Sequence, residues 1–232
     1  MKLELNCPVS AQDLIAGGYA HIVLATGVTP RTPAIEGIDH PKVHRYLDVL
    51  QDKCAVGDTV AVIGAGGIGF DVAEFLLHKG QSSSLNAANF FAEWGVDTNY
   101  RERGGLRPVQ HEKARRKIFL LQRKASKVGD GLGKTTGWIH RTSLKNQQVE
   151  MIAGVTYRKV DNTGLHITVG ESESIIAADT IVLCAGQEPQ RELQAELLVA
   201  GCSVHLIGGA DKTSELDAKG AIKQGTELAA AL

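Results

Sequence analysis

Three glycines spaced as G-x-G-x-x-G carry the clearest chemical signal in this sequence. Gly64, Gly66 and Gly69 follow a β-branched apolar run at residues 60–63 and precede a second apolar run at residues 70–77. In this pattern the first glycine permits a tight strand-to-helix turn, the second lets a diphosphate approach the backbone, and the third lets helix and strand pack closely. The N–H groups and positive end of the helix then attract the phosphates.

The motif therefore predicts a dinucleotide site, because it follows a strand and opens a helix. The residues expected at the diphosphate are Gly64, Ala65, Gly66, Gly67, Ile68 and Gly69. The alternative is a glycine-rich turn that only packs.

A basic pair follows the next strand expected in the same fold. Residues 118–121 are apolar, and Gln122, Arg123 and Lys124 come directly after them. An NAD site places a carboxylate at this strand end, where it accepts from the ribose 2′-hydroxyl. A guanidinium instead binds a 2′-phosphate through two charge-assisted contacts, and an ammonium adds a compact charge. The pair therefore predicts NADPH rather than NADH; the alternative is a solvated surface pair.

A glycine-rich segment at residues 129–137 follows the basic pair. Gly133, Lys134 and Thr135 resemble the end of a P-loop, but Val128 occupies the position that requires the first glycine. The segment also does not open directly from a strand, which argues against triphosphate hydrolysis. We expect this loop to lie over the adenosine phosphate, with Lys134 or Thr135 assisting.

A second turn near the C-terminus has the features of a flavin site. The apolar run at residues 204–207 leads into Gly209, Ala210 and Asp211, ahead of a helix expected from about Glu215. Flavoproteins hold the ribityl chain with such an Asp, while the positive end of the helix faces the flavin ring. The alternative is a helix cap followed by a turn.

The order of apolar runs predicts an α/β fold. Strands are expected at residues 2–7, 21–24, 60–63, 118–121, 149–152, 155–160, 165–169, 175–185 and 204–207, and helices at residues 12–16, 46–51, 70–77, 89–94, 136–144 and from 215 onward. A turn at residues 161–164 marks a hairpin. Two Gly-x-x-Pro strand exits, at residues 27–30 and 186–189, bracket the glycine motif and suggest one domain inserted into another.

Composition narrows the classes of partner. The 232 residues are 43% hydrophobic and 22% charged with a net charge of −1, which disfavours a nucleic-acid partner. Cys7, Cys54, Cys184 and Cys202 form no C-x-x-C motif, which argues against a zinc or iron–sulfur site within this chain and suggests reduced thiols. The sequence also lacks a signal-peptide core and a membrane-spanning apolar run, so we expect a cytoplasmic protein without a membrane partner.

With these residues in place, the chain resembles the bacterial NADPH-dependent 2,4-dienoyl-CoA reductases, flavin and iron–sulfur relatives of old yellow enzyme. The matching segments are LATGVTPRTP, GIDHPKV, YLDVL, VIGAGGIGFDVAEFL, LLQRKASK, GLGKTTGWIHR, CAGQEP, VHLIGGAD and ELDA. They run from about residue 20 to the C-terminus, and a surface insertion at residues 80–117 also resembles that family.

The resemblance implies an electron-transfer role in fatty-acid β-oxidation. NADPH gives a hydride to FAD, and electrons pass singly through an iron–sulfur cluster to FMN, which reduces the dienoyl thioester. It implies that this chain is the C-terminal part of a longer protein, whose N-terminal barrel holds the FMN and the cluster and is a partner of this part. The chain alone is then expected to be inactive toward a dienoyl-CoA.

The resemblance also implies an architecture: a three-layer Rossmann-like NADPH-binding domain, with a parallel sheet and a β-meander, at residues 53–179. It is inserted into a partial FAD-binding α/β domain at residues 1–52 and 180–232. The residues implied at the FAD are Ala25, Thr26, Gly27, Gly209, Ala210 and Asp211. Asp71 is implied to bond the nicotinamide amide, and Gly186 and Gln187 to lie where the two cofactors meet.

No catalytic acid or base is expected, because direct hydride transfer needs only alignment of the two rings. The open alternatives are an NADPH-dependent flavin or iron–sulfur oxidoreductase acting on another substrate, such as an amine dehydrogenase relative or a ferredoxin-type reductase, and a non-catalytic dinucleotide-binding module.

Overall fold

The computed structural model describes residues 2–78, 80, 82–109, 114–213 and 217–232. The chain forms two compact units, Met1–Arg31 together with Gln187–Leu232, and Thr32–Gly186. The chain therefore passes from the smaller unit into the larger one, completes it and returns to the smaller unit. The units divide after residues 31 and 186, whereas the sequence predicts domain boundaries after residues 52 and 179.

The described residues form twelve strands and seven α-helices. The strands are β1 (Ile22–Leu24), β2 (Val28–Pro30), β3 (Val43–Arg45), β4 (Thr59–Ile63), β5 (Lys117–Leu121), β6 (Glu150–Ile152), β7 (Val155–Asp161), β8 (Gly164–Val169), β9 (Ser172–Ile176), β10 (Thr180–Leu183), β11 (Gln187–Pro189) and β12 (Val204–Leu206). The helices are α1 (Ala11–Ala16), α2 (Tyr46–Leu50), α3 (Gly67–Leu77), α4 (Ala87–Glu93), α5 (Gly137–Asn146), α6 (Gln194–Val199) and α7 (Ala218–Ala231).

The larger unit is built on a five-stranded parallel sheet in the order β3-β10-β4-β5-β6. Strand β4 is buried on both faces, as its continuous apolar sequence requires. Val60 and Val62 belong to one apolar cluster with side chains of α2, α3 and α5, and Ala61 and Ile63 belong to a second cluster with the β7–β9 meander. The predicted three-layer α/β architecture with a parallel sheet and a meander is confirmed.

The smaller unit contains a parallel pair, β1 and β12, and an antiparallel pair, β2 and β11. Ile22 and Leu24 of β1 pack with Ala11 of α1 and Leu197 of α6. A 3-10 turn at Gly208–Ala210 connects β12 toward α7. This unit positions the turns that follow β1 and β12.

Several elements differ from the sequence prediction. Residues 2–7 form no regular structure, because alternation alone provides no partner strand. The two proline-containing exits contain short strands that the sequence does not predict, since β2 and β11 pair with each other. The run expected as one strand at residues 175–185 is divided between β9 and β10, and β10 lies between β3 and β4.

Other predictions are close to the observed elements. In the insertion, α4 lies at Ala87–Glu93 where a helix was expected at residues 89–94, while residues 79, 81 and 110–113 lie outside the described part. The last helix begins at Ala218, and its expected start at Glu215 falls outside the described residues. Among the residues that the structure describes, no helix is both long and apolar enough to cross a bilayer.

Candidate dinucleotide-binding site

Two of the three motif glycines are required by close backbone contacts. Gly64 has a φ of +112°, and an ideal Cβ there would lie 2.2 Å from the carbonyl oxygen of Cys184, which follows β10. An ideal Cβ on Gly69 would lie 1.9 Å from the carbonyl oxygen of Gly64. Gly64 therefore permits the turn out of β4, and Gly69 lets α3 begin against the end of that strand.

The middle of the motif is open instead. A Cβ on Gly66 or Gly67 would meet no atom of the described residues within 4 Å. Gly66 is the N-cap of the 11-residue helix α3 and provides no side-chain hydrogen bond to it. Because the first N–H groups of a helix have no partner within the helix, this open space suits the oxygens of a diphosphate. The residues present fit that group.

The basic pair follows the neighbouring strand of the same sheet. β4 and β5 are paired in parallel, and the Gly64 N–H donates to the carbonyl oxygen of Leu121 at 3.0 Å. Arg123 and Lys124 come two and three residues after Leu121, and both are exposed. The structure therefore brings the glycine turn and the basic pair to the carboxyl ends of two adjacent strands, where ligands bind in open α/β sheets.

Gln122 shapes the loop that carries the basic pair, a role that no sequence pattern indicated. Its Nε2 donates to the carbonyl oxygens of Lys124 at 3.0 Å and Ser126 at 2.8 Å. The side chain that stands where an NAD site has a carboxylate is thus turned toward its own loop, and the position carries no negative charge to repel a phosphate.

Tyr157 has a buried hydroxyl group whose pKa is affected by the positive charge of Arg123. Its hydroxyl is buried and has no hydrogen-bond partner among the described residues. Burial raises the pKa of this phenol, and the positive charge of Arg123 acts in the opposite direction. The hydroxyl therefore keeps its proton and can donate. Sequence reasoning did not single out this residue.

The other predicted contacts to the coenzyme lie at accessible positions. Asp71 is exposed on α3, and Lys134 and Thr135 are exposed in the loop before α5. Ala65 and Ile68 are half-buried against the apolar cluster that underlies α3. Gly186, with a φ of +102°, ends the larger unit, and Gln187 begins β11 in the smaller one.

In the smaller unit the turns after β1 and β12 lie against each other. An ideal Cβ on Gly209 would lie 3.1 Å from the carbonyl carbon of Gly27. Ala25, Thr26 and Asp211 are exposed, Gly27 and Gly209 are half-buried, and Ala210 is buried. The six residues expected at the FAD therefore come together in this unit.

Two residues that no motif indicated hold the second of these turns. Arg191 donates from Nε to the carbonyl oxygen of Ala210 and from Nη2 to that of Asp211. Gln224 of α7 accepts from the Gly208 N–H at 2.7 Å and donates to Asp211 Oδ2 at 2.8 Å. These long-range contacts fix the turn and the Asp211 carboxylate.

Arg116 differs from the expectation that it belongs to a charged surface segment. It is half-buried and donates to three carbonyl oxygens: from Nε to Gly57 at 3.0 Å, from Nη1 to Leu76 at 2.9 Å and from Nη2 to Val56 at 3.2 Å. Burial lowers the pKa of this guanidinium. Because Leu76 lies in the last turn of α3, Arg116 holds that end of the helix to the segment before β4.

Comparison with known proteins gives the family of the chain. A profile described as pyridine nucleotide-disulphide oxidoreductase matches residues 6–209. Over 216 residues the chain is 27% identical to a metal reductase from Desulforamulus reducens, covering 91% of this chain and 31% of that protein. Over 216 residues it is 25% identical to a cinnamate reductase from Clostridium sporogenes, covering 93% and 27%.

A solved structure has the same fold. The 2-naphthoyl-CoA reductase in complex with 2-naphthoyl-CoA matches with a TM-score of 0.72 at 22% identity, covering 98% of this chain and 29% of that one. The chain spans less than a third of the length of the curated relatives it matches. The chain belongs to the pyridine nucleotide-disulphide oxidoreductase family, which binds FAD and NAD(P)H.

Proposed function

We propose that this chain is the NADPH- and FAD-binding electron-input module of a larger reductase. The observation that carries the proposal is the open glycine turn at Gly66 and Gly67, flanked on the next strand by Arg123 and Lys124 with no carboxylate at the strand end. A 2′-phosphate is the feature that distinguishes NADPH from NADH, and a cationic strand end is the chemistry that selects it.

In this proposal the residues of the chain bind and orient the cofactors. The N–H groups at the start of α3 hold the diphosphate of NADPH, while Arg123 and Lys124 hold the 2′-phosphate and Lys134 or Thr135 assists. Asp71 bonds the nicotinamide amide, and Gly186 and Gln187 line the cofactors. NADPH supplies a hydride that FAD accepts, and no side chain has to move a proton for that transfer.

The domain assignment is part of the same proposal. Residues 53–179, with the insertion at residues 80–117, form the NADPH-binding domain, and residues 1–52 and 180–232 form part of the FAD-binding domain. The turns at Ala25–Gly27 and Gly209–Asp211 line the FAD, where the contacts of Arg191 and Gln224 keep Asp211 in place.

For the electron acceptor we propose a 2,4-dienoyl-CoA in fatty-acid β-oxidation. The resemblance stated above supports this substrate, and the structural neighbour named 2-naphthoyl-CoA reductase also acts on an acyl-CoA by its name. FMN and the iron–sulfur cluster belong, in this proposal, to an N-terminal barrel of the parent protein, and the chain alone is inactive toward the substrate. A cytoplasmic location is likewise part of the proposal.

A second candidate is a reductase of the same construction with another acceptor. The similarity to a cinnamate reductase over 93% of this chain favours it, because that name also describes reduction of a conjugated compound. Assays of the full-length protein with a dienoyl-CoA and with cinnamate separate the two candidates: the preferred acceptor is the one reduced with the higher kcat/KM.

Titration calorimetry of the purified chain with NADPH and NADH tests the cofactor assignment. We expect NADPH to bind at least about tenfold more tightly, since one charge-assisted contact is worth about 1.5–3 kcal/mol. Equal or tighter binding of NADH would refute the assignment. A visible spectrum of the same sample shows whether flavin co-purifies. If neither coenzyme nor flavin binds, the electron-input function itself is wrong.

A further inference from the structure

A groove of about 620 Å³ lies in the larger unit between α5 and the edge strand β6. None of the residues assigned above to NADPH or FAD lines it. Its volume falls within the range of about 300–1,000 Å³ that small-molecule sites occupy. The groove is therefore large enough for a ligand of its own.

One wall of the groove is a face of α5. Trp138, Arg141 and Lys145 are spaced at i, i+3 and i+7, which places them on the same side of the helix. Trp138 is 55% exposed, and its Nε1 donates to the carbonyl oxygen of Thr135 at 3.0 Å. A hydrogen bond thus holds a large aromatic side chain of which more than half is exposed.

The floor of the groove is apolar. Val149, Met151 and Ala153 alternate along and beside β6, so they share one face of the strand, and they pack with the apolar cluster beneath α3 and α5. Lys127 lines the groove from the loop after β5. Together with Arg141 and Lys145 it makes three cations, and none of the nine described residues that line the groove carries a carboxylate.

The geometry points to this groove as a binding site for a phosphorylated purine nucleoside, distinct from the dinucleotide site. The base packs against Trp138 and the apolar floor, as bases do on aromatic side chains. The phosphate is held by Lys127, Arg141 and Lys145, whose charges are uncompensated within the groove. A flat aromatic group joined to an anion is the ligand that combines these two surfaces. The inference rests on the proposed function only in its competition test, which uses NADPH.

Two sources carry this chemistry, coenzyme A with its adenosine 3′-phosphate and free adenine mononucleotides. Titration calorimetry of the chain with adenosine 3′,5′-bisphosphate and with 5′-AMP distinguishes them, since tighter binding of the bisphosphate indicates coenzyme A and equal binding indicates free nucleotides. We expect saturable binding of at least one probe, persisting when the dinucleotide site is saturated with NADPH. Displacement by NADPH at its own binding concentration would assign the groove to the dinucleotide site and overturn the inference, as would the absence of saturable binding.

Three variants locate the binding. Lys145→Glu should weaken it by at least about tenfold, as loss of a charge-assisted contact predicts. Lys219→Glu makes the same charge change on α7 of the other unit and should leave the affinity for the nucleotide probe unchanged. Trp138→Leu keeps an apolar side chain and should also weaken binding by about tenfold through lost stacking. Thermal unfolding checks that each variant is folded, and NADPH affinity should stay within twofold in Lys145→Glu and Lys219→Glu. If Lys145→Glu and Trp138→Leu bind like the wild-type chain, the site is not in this groove.

Discussion

A Cβ atom on Gly69 would lie 1.9 Å from the carbonyl oxygen of Gly64, so the third glycine of the motif packs against the first. The glycine between them, Gly66, has open space where its Cβ would be. The motif therefore divides into residues that the fold requires and a residue that a ligand would require. Substitutions should separate the two roles.

Gly69→Ala should destabilise the chain. The added methyl group must displace α3 from the end of β4, and overpacking of this kind costs about 1–3 kcal/mol. Urea unfolding followed by circular dichroism measures the free energy of unfolding. Gly67→Ala is the matched control and should unfold like the wild type, because its methyl group would meet no atom within 4 Å in the part of the chain that the structure describes. Equal stability of all three proteins would contradict the close contact.

Gly66→Ala should lower stability only slightly and weaken NADPH binding. Its φ of −83° suits any residue, and alanine is only moderately less favourable than glycine at an N-cap, so we expect a loss in the free energy of unfolding of no more than about 1 kcal/mol. The methyl group would occupy the space through which the diphosphate approaches, and we expect a loss of about tenfold in affinity, as for one charge-assisted hydrogen bond. Calorimetry with NADPH measures it, and wild-type affinity would place the diphosphate elsewhere.

Replacing Arg123 and Lys124 together by alanine should weaken NADPH binding selectively. Contacts to the 2′-phosphate are lost, which costs at least the value of about 1.5–3 kcal/mol of one charge-assisted contact, whereas NADH has no such phosphate and should lose less than about 0.5 kcal/mol. Arg115→Ala removes an exposed cation just before β5 and is the control. A parallel loss of NADH and NADPH affinity would indicate a nonspecific effect of charge.

Arg116→Ala should lower stability by about 2 kcal/mol, because carbonyl oxygens lose hydrogen bonds from a charged donor. Its neighbour Arg115 is exposed, and Arg115→Ala should change the free energy of unfolding by no more than about 0.5 kcal/mol. Urea unfolding of the two variants gives the comparison. Equal effects would mean that the three contacts of Arg116 contribute nothing beyond its charge.

Cys184 should make the chain sensitive to alkaline pH. Burial raises the pKa of its thiol from 9.0 to about 12, so above pH 9 the unfolded chain loses a proton that the folded chain retains. The contribution of this thiol to the free energy of unfolding is fully present below pH 9 and is lost as the pH rises toward 12. The loss is on the order of 1 kcal/mol by pH 10. Urea unfolding at pH 8 and pH 10 should show a smaller decrease for Cys184→Ala than for the wild type; identical decreases would contradict the shift.

The sequence predicts the larger unit well where spacing and chemistry agree. The glycine motif gives the strand-to-helix turn, because Gly64 and Gly69 each have a steric reason in the fold. The continuous apolar run of β4 indicates a strand buried on both faces, and the turn at residues 161–164 indicates the β7–β8 hairpin. These signals are local, so they can be read without the tertiary structure.

Features that depend on partners distant in the chain could not be predicted in this way. Residues 2–7 alternate but pair with no strand among the described residues, whereas the proline exits at β2 and β11 pair although prolines disfavour strands. The three backbone contacts of Arg116 could not be predicted for the same reason. Neither could the hydrogen bonds by which Gln122 and Arg191 hold the backbone of loops in their own units. The sequence shows that a charged or amide side chain can donate a hydrogen bond, but it does not show which carbonyl oxygen accepts it.

The most direct test of the account is a crystal structure of the chain with NADPH. We predict that the diphosphate lies at the N-terminus of α3 over Gly66, and that Arg123 and Lys124 contact the 2′-phosphate. A coenzyme bound elsewhere, or a 2′-phosphate in bulk solvent with both basic side chains turned away, would contradict it.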